Sequence, residues 1–186
     1  MPLTKVRTGG VADNAITATQ LPSDFSNGIT FFETMRMTQS MTGTGGDLSQ
    51  TFESTDTGSF GRKLIGGTGM TASSGVFTFP ATGIYLLMGR ARFNQDADLS
   101  YFGINFRSTT DNFSSVNDVV VEGYGTWGQH IGGNNYDMAC IDYIFDCTNT
   151  STHKFKMVYG SSHQVTVAGS TSGNNTYVTV VRLGDT

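Results

Sequence analysis

GVFTFPATGIYLLMGRARF, residues Gly75–Phe93, reads as a short strand, a Pro-Ala-Thr-Gly turn and a long strand, together a hairpin. Val76, Phe77 and Phe79 are strand formers, and Pro80 with Gly83 three positions on suits a four-residue turn. Beyond the turn, Tyr85, Leu87, Gly89, Ala91 and Phe93 fall on one face of the strand, and Ile84, Leu86, Met88, Arg90 and Arg92 on the other. The first face is apolar throughout, as a sandwich core requires. The second is apolar for half its length and cationic after that. A strand apolar on both faces is covered on both. One cover is an opposing sheet. The other is a second copy of the chain or a loop of the same one, and the glycine-rich loops carry few side chains with which to cover anything. Ile84, Leu86 and Met88 are therefore the expected contact between copies, since a closed cyclic oligomer buries such a face with none left over.

The remaining chain repeats this pattern. Ile29–Gln39 is a strand with Phe31, Glu33, Met35 and Met37 on one side and the mostly polar set Phe32, Thr34, Arg36 and Thr38 on the other, so it is expected to be covered on one face. Ser40–Gly46 reads as a Gly/Thr loop and Leu48–Ser54 as a short strand. Leu99–Arg107 sets Phe102, Ile104 and Phe106 on one face, and Tyr136–Cys147 alternates Ala139, Ile141, Tyr143, Phe145 and Cys147 against Met138, Cys140, Asp142, Ile144 and Asp146. Lys154–Tyr159 and Gln164–Ala168 read as two short strands, and Thr176–Leu183 as the last. About ten short strands with glycine-bearing turns and no convincing helix indicate an all-β sandwich or jelly roll over residues 29–186. Residues 1–28 have no sustained period, and their apolar residues Leu3, Val6, Val11, Ile16, Leu21 and Phe25 are too widely spaced to form a core. They read as a frayed end or as an extended arm that presses those side chains into a partner protein.

Composition narrows the function. Charged residues make up 14% of the chain against roughly 25% in soluble proteins, so Thr, Ser, Asn and Gly build the surface. The formal net charge is −4 with no Lys/Arg cluster, which argues against a nucleic-acid partner. No apolar run approaches the ~20 residues of a membrane span. The opening MPLTKVRTGG lacks the apolar core of a secretory signal. Cys140 and Cys147, about 23 Å apart along one strand and on opposite faces, are expected as free thiols.

Catalytic patterns are missing. Gly169–Gly173 carries Thr171 where a nucleophile elbow needs serine, and Gly66-Gly67 is not followed by the Lys-Ser/Thr of a phosphate loop. His130, His153 and His163 are scattered, and the close carboxylates Asp96/Asp98 and Asp142/Asp146 lack a calcium-loop pattern. No cofactor and no metal is expected, and the chain reads as a non-enzyme. Tyr124, Trp127 and Tyr136 lie among glycines in EGYGTWGQHIGGNNY. They read either as a ligand-contact loop or as plugs for one end of the sandwich, with plugging the preferred reading.

The run Phe77, Thr78, Phe79, Pro80, Ala81, Thr82, Gly83, Ile84, Tyr85, Leu86 resembles the corresponding hairpin of the tumour necrosis factor and complement globular-head superfamily. Phe31 and Phe32 sit where that family's first strand would be, and Thr176–Gly184 is similar to its last, which in that family lies near the chain start. The resemblance spans roughly Ile29–Asp185. It implies a ten-strand jelly roll assembled as a trimer about a threefold axis, with no shared catalytic motif. The segment VADNAITATQLPSDF resembles N-terminal parts of tailed-bacteriophage fibre and appendage proteins. Together the two resemblances imply a virion surface protein, assembled in the host cytoplasm. The expected role is a capsid decoration or head-fibre knob, trimeric, tethered through residues 1–28 to the major capsid protein or another virion protein. The alternative is the receptor-binding tip of a tail fibre, contacting a host-surface glycan or protein through the loops around Trp127 or Ser161–Gly173.

Overall fold

The computed structural model describes residues 29–55, 64–65, 67–95, 99–115, 119–125 and 135–186. The expected arm, 1–28, and Trp127 lie outside them. The described residues form twelve strands, most of them where apolar and β-branched residues alternate between turn signals: β1 Phe31–Met37, β2 Met41–Asp47, β3 Phe52–Ser54, β4 Leu64–Ile65, β5 Thr71–Ser73, β6 Val76–Thr78, β7 Gly83–Gln95, β8 Phe102–Thr109, β9 Val119–Gly125, β10 Asn135–Cys147, β11 Lys154–Val167 and β12 Tyr177–Gly184. Among the described residues there is no helix.

Among the described residues all pairings are antiparallel. One sheet runs β1-β12-β7-β10, with β3 and β4 on the free edge of β1. The other runs β9-β8-β11, and the far edge of β11 is shared by β2 and by β6, which carries β5. First and last strands lie side by side, as the resemblance implied. The sheets join at one corner: where β12 stops along β7, Thr166 and Val167 of β11 take over, opposite Asn94 and Phe93. A bulge between Gly160 and Val165 bends β11 far enough to belong to both sheets.

The core is the inward face of these strands. Tyr85, Leu87, Ala91 and Phe93 of β7 are fully buried, and so are Phe102, Ile104 and Phe106 of β8 and Phe155 and Met157 of β11. Exposure alternates along all thirteen residues of β7, with the faces expected from its sequence. The rings interlock: Phe77 stacks on Phe155 at 4.7 Å, Phe52 meets Phe77 edge-on at 4.8 Å, and Phe93 packs on Phe102 at 5.0 Å.

Four local readings need correction. First, Gly75–Phe93 is not a hairpin. β6 pairs with β5 and β11, β7 with β10, β12 and β11, and Phe79–Thr82 carries the chain from one sheet to the other. The tight hairpin is β5–β6, turned at Ser74 and Gly75, whose φ values of 49° and 76° suit a two-residue turn. Second, the Gly/Thr stretch expected as a loop is strand β2. Its backbone pairs with β11, and Thr42 and Thr166 share a 2.9 Å hydroxyl bond. Third, the two short strands at Lys154–Ala168 are the single bulged strand β11. Fourth, β1 is buried on both faces from Glu33 to Met37, while Phe32 is half-buried. Thr34 is 8% and Arg36 5% exposed on the polar side, because Arg36 is paired with Glu53 at 2.8 Å and donates to the Thr171 carbonyl. On the core side the Glu33 carboxylate is buried too, accepting from the Ser54 hydroxyl and the Met70 N–H.

Candidate functional site

Side chains pointing away from the core of the β1-β12-β7-β10 sheet form rows set by the strand register. One row is Phe32, Val181, Leu86, Ile144. The next is Thr34, Thr179, Met88, Asp142, in which the two threonine hydroxyls bond at 2.9 Å. The third is Arg36, Tyr177, Arg90, Cys140, and beyond it Arg92 stands opposite Met138. Ile84 extends the first rows toward Gly184 and Asp146. The face is thus apolar toward the start of β7 and cationic toward its end.

Ile84, Leu86 and Met88 are brought together here, each half-buried between neighbours of its own sheet. No described strand packs over them. Ile144, next to Leu86, is 60% exposed, and Met138 is 41% exposed. Apolar side chains thus occupy one row across all four strands, with Val181 buried within it and Ile144 the most exposed. At the cationic end, the guanidinium of Arg92 lies 4.2 Å over the Tyr136 ring and donates to Asn175 at 3.1 Å. The nearest Arg90 nitrogen is 2.7 Å from the Cys140 sulfur.

Tyr136 is neither a loop residue nor a plug. It stands on β10, 53% exposed, on the outward face opposite Asn94. Tyr124 belongs to β9, and Trp127 lies outside the described residues. The sequence reading missed the Arg92–Tyr136 pair, although their parity on neighbouring strands was legible once the β7–β10 register was known.

Both cysteines are free, as expected, and they differ in chemistry. Cys140 is exposed on the outward face. Cys147 is buried, and burial pushes its thiol up to about 11 from 9.0. The unfolded chain loses this proton near pH 9, while the folded chain holds it to about 11. The folded state therefore binds more protons in that window, and stability present below pH 9 falls as pH rises through it. At pH 8, iodoacetamide should modify Cys147 of the folded chain on the order of 100-fold more slowly than in the urea-unfolded chain, from the thiolate fraction alone. Peptide mapping by mass spectrometry reads this directly. Equal rates would show that the thiol is not buried.

Among the described residues no three His, Cys, Asp or Glu side chains gather as metal ligands. His153 meets Thr148 and the Asp146 carbonyl, and His163 meets Ser162, so among the described residues neither has a carboxylate hydrogen-bonded to it that would orient it.

No family model matches the chain, and no curated protein matches it. Solved structures do. A crystal structure of murine APRIL matches with a TM-score of 0.55 at 12% identity, covering 82% of this chain and 98% of that one. The structure of Eiger TNF from S. frugiperda matches with a TM-score of 0.52 at 9% identity, covering 83% and 94%. At such identities the likeness concerns the fold, which is the TNF-like jelly roll.

Proposed function

We propose that the chain is a non-enzymatic structural protein that assembles as a trimer through the outward face of the β1-β12-β7-β10 sheet. The observation that carries this reading is the uncovered apolar end of that face, Phe32, Ile84, Leu86, Met88 and Ile144. Burying each large aliphatic side chain there contributes about 1.5–3 kcal/mol, and a closed ring repeats the gain at every interface. A TNF-like jelly roll supports threefold closure over other cyclic arrangements, by the resemblance set out above.

The setting we propose is the surface of a tailed-phage particle. Each knob would be seated on the capsid, with residues 1–28 reaching from it into neighbouring capsid subunits. Three arms on one trimer bind with avidity, because after the first engages the others face a high local concentration of sites. The test is copy number in purified particles that carry the chain, read from a quantitative gel against the major capsid protein. Decoration predicts copies matched to capsomer junctions. A handful of copies per particle would move the protein to the tail, and absence from particles would refute the setting.

A further inference from the structure

The sandwich has an open end where β7 begins. A cavity of about 300 Å³ lies there, lined by Thr30, Phe31, Thr68, Pro80, Tyr85 and Arg182. That is the lower end of the size range of small-molecule sites, roughly 300–1,000 Å³. We propose that this cavity binds a small hydroxylated carboxylate, of the uronic-acid class, whose carboxylate replaces that of Asp185 on Arg182.

Arg182 is the anchor. On β12 it stands opposite Tyr85 and shares its parity with the core residues Val178 and Val180, so its guanidinium is turned across the mouth of the sandwich. It is held there by Nε donating to the Thr82 carbonyl at 3.0 Å. Gly83 makes this position available. Its φ is 148°, and a Cβ there would run into Arg182 Nε and the Gly184 carbonyl. Nη2 of Arg182 takes the Asp185 carboxylate. Arg182 is only 20% exposed whereas Asp185 is 74% exposed, so the cation is built in and the acid is replaceable. An exposed acid three residues away in sequence loses little on release. Asp185 thus shows that the guanidinium donates to a carboxylate at this position.

The rest of the lining fits a sugar acid rather than a bare anion. Pro80 and Ala81 offer apolar surface for the C–H face of a pyranose, and Thr30 and Thr68 border the same space. The buried Tyr85 hydroxyl donates to the Ala81 carbonyl at 2.9 Å and is engaged by Arg182, so it braces the guanidinium from the core side. The cavity lies on the core side of the strands whose outward side chains form the proposed assembly face, and its test reads ligand binding rather than mass, so failure of this inference and failure of the proposed trimer are distinguishable.

The experiment is titration of the intact chain with sodium D-glucuronate, followed by NMR shifts, with D-glucose and inorganic phosphate as parallel probes. Saturable shifts of Thr30, Thr68 and Arg182 resonances are expected with glucuronate and not with glucose. Asp185→Asn removes the competing acid and should tighten glucuronate binding about two- to fivefold, the scale of releasing a surface ion pair. Arg182→Gln should abolish it. The signature that a merely structural role would not give is the gain of affinity in Asp185→Asn, a substitution at an exposed position. No saturation in wild type or Asp185→Asn, unchanged affinity in Asp185→Asn, equal binding of glucose, or binding of phosphate alone would each overturn the proposal.

Discussion

Replacing Leu86 by aspartate is expected to turn the native assembly into folded monomers. Leu86 sits mid-row between Val181 and Ile144, on the outward face, with its backbone in the β7 ladder and its side chain away from the core. The fold does not need this side chain, because the buried set of β7 lies on the other parity. The assembly does. Each copy loses about 2 kcal/mol of apolar burial and gains a carboxylate whose desolvation costs several kcal/mol. Threefold closure multiplies this and brings the new charges toward one another. At micromolar concentration the variant should sediment near 19.9 kDa and keep the β-sheet circular-dichroism spectrum of the parent. Persistence of the parental mass would mean that the face is not the contact. Leu86→Ile, which keeps the apolar area, should leave the mass unchanged and separates loss of surface from loss of a residue.

The largest loss of stability should come from Phe77→Ala. Phe77 is fully buried and lies between the stacked ring of Phe155 and the edge of Phe52, so three strands, β3, β6 and β11, meet through it. Removing the ring leaves a cavity that β-ladders cannot close by shifting, because β6 is tied to β11 at Lys154–Lys156 and to β5 on its other edge. A cost of about 3–5 kcal/mol follows, the range for burying no ring where one stood. Urea unfolding at fixed protein concentration measures it. A loss below about 1 kcal/mol would show that the site collapses around the deletion, contrary to the packing described.

How much was legible depended on where the information lay. Strands with side chains alternating in chemistry announced themselves. β7 and β10 were placed with the right faces, because burial on one side and exposure on the other leave a period of two in the residues. β2 has three glycines among seven residues, so it carries no such period. Its strand character comes from the edge of β11 that it joins, which no local reading contains. Partnering was hidden for the same reason. Phe79–Thr82 looks like a hairpin turn, yet the choice between turning back and crossing to the other sheet is made by β5 and β11, which claim both edges of β6. The buried state of Arg36 likewise depends on Glu53 and Thr171, far along the chain.

The proposed assembly face is the clearer part of the candidate site. Ile84, Leu86 and Met88 could be named from parity alone, and the structure adds the neighbours that make a surface of them, Phe32, Val181 and Ile144. Arg182 was not singled out. In TYVTVVRLG it reads as one cation ending an apolar strand, and only the register with Tyr85 and the absent Cβ of Gly83 turn it across the open end of the sandwich.

Everything about function turns on whether like meets like across that face. Sedimentation equilibrium of the wild-type chain at micromolar concentration puts the question without any substitution. The account predicts a single species at about three times 19.9 kDa, and a stable, soluble species of 19.9 kDa would contradict it.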